Sequence, residues 1–325
     1  MLLANKKVLI TGGAGFIGSN LAQRLVSLGA DVTLIDSLIP EYGGNLHNLH
    51  AIAEQVKLNI SDVRDPHSMK YLVRDVDIVF NLAGQTSHMD SMHDPFTDLE
   101  INSRAQLSIL EALRHNNPTA RVIFASTRQI YGRPDFLPVS EAHPLRPVDV
   151  NGINKISGES YHLLYQQVYG IPTCALRLTN TYGPCMRIRD ARQTFVGIWI
   201  RRLLEGEPFE VWGGEQLRDF NYVDDVVDAF IVAAINPKAC GKIFNLGSKE
   251  IISLSKLAEL LVNLNKEGCY HIHEFPPERK KIDIGDYYSD FSLIEQELEW
   301  QPRTNLRIGL MQTLDYFRLH GEHYL

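Results

Sequence analysis

The sequence predicts an α/β protein: a doubly wound parallel sheet followed by a smaller, mixed α/β lobe. Three observations carry this. Short β-rich runs alternate with helical segments of ten or more residues through the first half of the chain, and strands joined by such helices pair in parallel with helices on both faces. A glycine-rich turn sits between the first strand and the first helix, and an acidic residue closes the second strand. Repeated right-handed crossovers then wind the sheet in both directions.

The elements follow in order. KVLIT is a short β-rich run, and FIGSNLAQRLVSLG has helical spacing with a terminal glycine. DVTLID and VKLN are the second and third strands. PHSMKYLVRD reads as a helix opened by proline. DIVFNLAG is the fourth strand, followed by a long helix near 95–116. RVIFAST is the fifth, followed by a helix over about 152–169 and the strand TCALRLTN. After residue 180 the rhythm breaks into PFEVWGG, YVDDVVDAFIVAA, KIFNLG and SLSKLAELLVNLN. The expected division is a first domain over 1–179, with 222–247 crossing back to it. Residues 180–221 and 248–325 then make the second lobe.

The bulk numbers exclude several classes. With 325 residues, 44% hydrophobic and 22% charged, the chain is long enough for sizeable cores and shows no sign of disorder. Its longest apolar runs are too short to cross a bilayer. A strand begins almost at once after Met1, leaving no room for a signal peptide, so a cytoplasmic location is expected. Cys174, Cys185, Cys240 and Cys269 are scattered, which argues against a zinc site or a disulfide framework. A net charge of −7 argues against nucleic-acid binding. The charge is uneven, because RIRDARQTFVGIWIRR (187–202) holds five arginines against one aspartate. Its plain reading is a solvated helix face.

TGGAGFIG (11–18) spaces Gly12, Gly15 and Gly18 as G-x-x-G-x-x-G. Such a turn lets the backbone approach a pyrophosphate, which then rests on the first helical amides, here those of Phe16, Ile17 and Gly18. Asp36, with Ser37 after it, closes the next strand 18 residues past Gly18, where a carboxylate accepts from the adenosine ribose hydroxyls. It would repel a 2′-phosphate, so the expected cofactor is NAD rather than NADP. This is a Rossmann-type arrangement.

Along nearly its whole length the chain also resembles the extended short-chain dehydrogenase/reductases that epimerise, dehydrate or decarboxylate nucleotide sugars. SDVRD (61–65) is similar to the family's adenine-contacting segment, implying roles for Asp62 and Val63. NLAGQTSH (81–88) resembles the segment that lines the cofactor, through Leu82, Ala83 and Gly84. FASTRQIYG (124–132) resembles the catalytic serine/threonine strand and puts Thr127 at the substrate hydroxyl. RLTNTYGP, GGEQLRDFNYVDD and LEWQPRTNLRIGL resemble further signatures. The resemblance implies a nucleoside-diphosphate sugar as substrate. Asn180 and Arg218 would meet its diphosphate, Arg279 would be a second clamp, and Trp212 would cover the nucleobase. It also implies a homodimer formed by the helices near 95–116 and 152–169.

One departure bears on mechanism. Family members place a tyrosine four residues before a lysine, and the tyrosinate takes the hydroxyl proton. In DVNGINKISGE (149–159) Lys155 is in register, but the tyrosine position is Asn151, and Tyr161 lies on the wrong side of the lysine. An amide hydrogen-bonds a hydroxyl but does not accept its proton at neutral pH. His88 is the first candidate for a substitute base, since an imidazole titrates near neutrality; a structural, hydrogen-bonded histidine is the alternative. Arg128 and Gln129 stand where the family's dehydratases hold an acid pair, and Cys185 stands where its decarboxylases hold arginine. By elimination the expected activity is NAD-dependent epimerisation at a ring carbon, C4 first. The alternatives are a dehydratase or other lyase with an unusual acid/base set, and a catalytically impaired NAD- and nucleotide-sugar-binding protein. Arg187, Arg189, Arg192 and Gln193 are expected at the sugar and diphosphate end of the cleft, where added cations would suit an acidic substrate.

Overall fold

The structure, a computed structural model, describes residues 3–276, 280 and 282–325. Its strands, in chain order, are β1 (Lys7–Thr11), β2 (Asp31–Asp36), β3 (Val56–Ile60), β4 (Ile78–Asn81), β5 (Arg121–Thr127) and β6 (Thr173–Leu178). There follow β7 (Asn180–Tyr182), β8 (Phe209–Trp212), β9 (Leu217–Tyr222), β10 (Ile243–Asn245), β11 (Ile251–Ser253) and β12 (Tyr270–His273). Seven of them make one sheet in the order β10-β6-β5-β4-β1-β2-β3, with every pairing parallel. Val8, Leu9 and Ile10 are all buried, as are Ile78, Val79 and Phe80. Continuous apolar runs of this kind belong to strands covered on both faces. Smaller sheets, β11-β9-β7 and β12-β8, lie beyond.

The strand order reverses between β1 and β4, which opens a crevice beyond their carboxyl ends. A hydroxyl fixes the two turns there. Thr11 Oγ1 donates to Asn81 Oδ1 at 2.9 Å and accepts from the amides of Leu82 and Ala83 at 3.1 and 3.0 Å. Gly12 has a φ of +69°, open to glycine at little cost, and packs against Ala83. At Gly18 the constraint is space, since a Cβ there would lie 2.1 Å from the Gly12 carbonyl oxygen.

The helices that serve the crevice are α1 (Phe16–Ser27), α2 (Pro66–Leu72), α3 (His88–His93), α4 (Pro95–Leu99), α5 (Ala105–Asn116) and α6 (Val150–Tyr169). The single long helix expected near 95–116 is interrupted by a π-helical turn, Glu100–Arg104. Such turns admit one extra residue and concentrate at functional sites; this one carries the buried Asn102. Helix α6 is held to the sheet by a buried bidentate pair, Arg177 to Glu159 at 2.6 and 3.0 Å. His162 also anchors it, accepting from Asn81 Nδ2 of β4 at 3.2 Å, while its Nδ1 bonds the Gly158 carbonyl one turn back in the same helix at 2.7 Å. Burial pushes His162 down to about 4, so the ring is neutral, with Nδ1–H donating to the carbonyl.

Gly18→Ala tests the phosphate turn's packing. It should lower the unfolding free energy by about 1–3 kcal/mol, the usual cost of an overpacked site, as read by urea titration.

Candidate active site

A cavity of about 450 Å³ occupies the crevice, lined from the turns after β1, β2, β4 and β5 and from α6. At one end lie Gly12, Gly15, Phe16, Ile17 and Gly18. No side chain caps α1, so its first amides are left for a ligand, where the helix dipole also favours an anion. Asp36 and Ser37 line the same end. Asp36 accepts from the amides of Ala14 and Leu38, each at 2.9 Å. Burial raises its pKa against the pull of those amides. Asp62 and Val63 reach the wall, although the Asp62 carboxylate is already paired with Arg64 at 2.6 Å. Leu82, Ala83 and Gly84 complete this half. The residues present therefore fit a dinucleotide.

At the other end the cavity gathers Thr127, Asn151, Lys155 and His88, with Asn180 and Arg192 beside them. Lys155 Nζ donates to the Ala125 carbonyl at 3.1 Å. Burial brings its pKa down from 10.5 to about 8, with Asp98 opposing the shift. Asn151 is committed elsewhere. Its Nδ2 donates to the Gln85 carbonyl at 2.8 Å and to Asp98 Oδ2 at 3.0 Å. Asp98, fully buried, also accepts from Asn102 at 3.0 Å and Asn154 at 2.8 Å. Three amides from α6 and the π turn thus hold one buried carboxylate. Position 151 is a donor to an anion and has no capacity to take a proton.

His88 stands differently. It lines the cavity with its side chain 38% exposed, and its Nδ1 lies 3.0 Å from Oδ2 of Asp149, whose side chain is wholly buried. Asp149 caps α6 through the Gly152 amide at 2.7 Å and accepts from Gln129 at 3.2 Å. Its own burial works to raise its pKa, but His88 and these donors bring it below the ordinary value. At that distance Nδ1 makes no aligned hydrogen bond, so Asp149 acts on the ring as a neighbouring charge, and Nε2 is the second functional nitrogen. Sequence reasoning named His88 and missed Asp149, although the residue sits in the same DVNGINK stretch in the N-cap position of a predicted helix. It also missed Asp98, for which PFTDLE offers no signal.

The arginine-rich segment is largely neutralised by carboxylates within and around it. Arg187 pairs with Asp190 at 2.6 Å, Arg192 with Asp90 at 3.0 Å, Arg201 with Glu205 at 2.8 Å, and Arg202 with Glu207. Arg192 and Gln193 do reach the cavity wall. Arg218 and Trp212 do not. They flank a separate hollow that includes Gly213, Gln216, Phe275 and Asp283, with Arg218 3.6 Å from Asp283. Arg279 lies outside the described residues.

Residues 8–247 match the model of the NAD dependent epimerase/dehydratase family. The chain belongs to that family. Its relatives include a putative UDP-glucose 4-epimerase of Methanocaldococcus jannaschii, 31% identical over 96% of this chain and 98% of its own length. The UDP-glucuronic acid decarboxylase 1 of Xenopus tropicalis is 32% identical over 98% of this chain and 73% of its own. The UDP-glucose 4-epimerase of Thermotoga maritima, solved with UDP-glucose, superposes with a TM-score of 0.87 at 30% identity, over 96% of this chain and 99% of that one. NAD is the family's cofactor, and the Rossmann-type fold is common to these members.

The Lys155 environment makes a pH-dependent prediction. Between about 8 and 10.5 the unfolded chain holds a proton on this lysine that the folded chain has lost, so this group's contribution to stability rises with pH through that window. Below pH 8 its burial penalty is fully present. Relative to Lys155→Met, the native protein should therefore gain up to about 3 kcal/mol across that window. Parallel urea titrations of both proteins would show no such pH trend if the lysine were solvated.

Proposed function

We propose that the protein is an NAD-dependent nucleotide-sugar epimerase acting at C4 of the sugar, with His88, beside the charge of Asp149, in the part normally taken by a tyrosine. The observation that supports this is the 3.0 Å contact between the cavity-lining imidazole and a buried carboxylate, beside an Asn151 whose amide is already spent on Asp98. NAD, when bound, supplies the hydride acceptor.

The chain's own residues do the rest. Amides at the start of α1 and the Asp36 carboxylate hold the dinucleotide, with Ser37, Asp62, Val63 and Leu82–Gly84 around it. Lys155 holds the nicotinamide ribose. Thr127 binds the reacting hydroxyl, and His88 takes its proton and later returns it, as a general base and acid. Asn180 and Arg192 meet the sugar and diphosphate. Trp212 and Arg218, with Arg279, serve the nucleotide end in the second lobe, built from 180–221 and 248–325 against a cofactor domain of 1–179 and 222–247. Epimerisation is favoured over elimination because Arg128 and Gln129 replace the carboxyl pair that elimination uses. Cys185, packed in the core 3.4 Å from the Tyr316 hydroxyl, is no replacement for a decarboxylase arginine.

The same reading includes a homodimer. Phe96 is 77% exposed, and Leu99, Ile153, Leu164 and Val168 on the same group of helices are exposed as well. An apolar patch of this kind favours a partner. Among the described residues no helix is long and apolar enough to cross a membrane, and the four cysteines are free, which supports a cytoplasmic setting.

His88→Gln should cut turnover of the nucleotide sugar by about 10²- to 10⁴-fold while NAD affinity is kept. Asp149→Asn, which still caps α6, should cost less. Turnover unchanged in His88→Gln would refute the assignment. Light scattering at micromolar concentration should give twice the 36.8 kDa chain mass; a monomer would refute the pairing.

A further inference from the structure

Arg128 is the cation of the cleft that nothing else explains. It lines the cavity directly after Thr127. Its Nη2 donates to Asn180 Oδ1 at 3.0 Å, and its Cζ lies 5.1 Å from the centre of the Tyr287 ring. Its Nη1 is buried with no hydrogen-bond partner, and among the described residues no carboxylate pairs with it. The cleft's other cations are occupied: Arg192 by Asp90 at 3.0 Å, and Lys155 by the Ala125 carbonyl at 3.1 Å. Arg218, close enough for the Arg128 charge to depress its pKa, has Asp283 at 3.6 Å. A guanidinium kept without a counter-ion, one donor unmet, is costly unless a ligand completes it.

We propose that Arg128 receives an acidic group carried by the sugar itself, so that the preferred substrate is a nucleotide-linked uronic acid or a comparably acidic sugar. The inference rests on the epimerase reading above and names its substrate class. Arg128 is the chain neighbour of Thr127, the residue assigned to the reacting hydroxyl, and both line the same cavity. In that reading the diphosphate has Asn180 and Arg192, while Arg218 stands on a different strand and off the cavity wall. A forked guanidinium matches a carboxylate in two parallel bonds, which no neutral hydroxymethyl group reproduces. The sequence placed this preference on Arg187, Arg189, Arg192 and Gln193; the pairing of Arg187 with Asp190 and of Arg192 with Asp90 moves it to Arg128.

The test is calorimetry on the NAD-saturated full chain with UDP, UDP-glucose and UDP-glucuronate. The native protein should bind UDP-glucuronate about tenfold or more tightly than UDP-glucose, as a charge-assisted bidentate contact implies. Arg128→Gln should bring that ratio to about one, and Arg128→Lys, which keeps charge without the fork, should leave it in between. No preference in the native protein overturns the inference while leaving the epimerase reading intact. So does an Arg128→Gln that weakens both sugars alike, which would assign the residue to the diphosphate. If none of the three nucleotides binds, the epimerase reading falls together with this inference.

Discussion

Asp98 is a carboxylate shut away from water, and three asparagine amides hold it. Two of them come from α6, at Asn151 and Asn154, and the third from the π turn at Asn102. Burying an anion without a directly bonded cation is expensive, and only a full set of donors offsets it. Much else is arranged by that requirement. It ties α6 to α4 and the π turn, places the cavity wall, and acts on Lys155 from across the site. It also settles what position 151 does. Its Nδ2 is engaged by that anion, and an amide oxygen is too weak a base to take a substrate proton at neutral pH.

The cleft is accordingly divided by charge. At the cofactor end, uncapped helix amides and Asp36 present opposite polarities to the two halves of a dinucleotide. At the sugar end stand Thr127, His88 and Arg128, each supported from behind by a different group. Thr127 Oγ1 accepts from the Gln129 amide at 3.2 Å, His88 has Asp149, and Arg128 has Asn180. Gln129 also bonds Asp149. The loop after β5 therefore braces both the residue that would hold the hydroxyl and the pair that would take its proton.

Most of the architecture was legible because it is local. Strand and helix periods, the glycine turn and the acid closing β2 are written in neighbouring residues, and His88 follows from the rule that residues beyond parallel strand ends face the crevice. What was illegible is tertiary. Nothing in PFTDLE announces that Asp98 will meet three asparagines from elsewhere, and the π turn breaks a helix whose spacing looked regular. The arginine-rich segment was partly readable after all: Arg201 and Glu205 sit at i,i+4 at the end of a helix, the spacing at which helical charges neutralise one another, whereas Arg187 meets Asp190 within a loop. Among the described residues the cleft cation with no carboxylate partner and an unmet donor was instead Arg128, next to Thr127 in a recognised motif, where sequence shows the charge but not whether a partner is present.

The account depends on the proton leaving through the imidazole rather than through residue 151. The most direct measurement is the rate of single-turnover nicotinamide reduction by a bound nucleotide sugar, in the native protein, in Asn151→Ala and in His88→Ala. The account predicts that Asn151→Ala keeps most of the native rate, whereas His88→Ala loses about 10²- to 10⁴-fold. A native rate in His88→Ala, with the loss falling on Asn151→Ala instead, would contradict it.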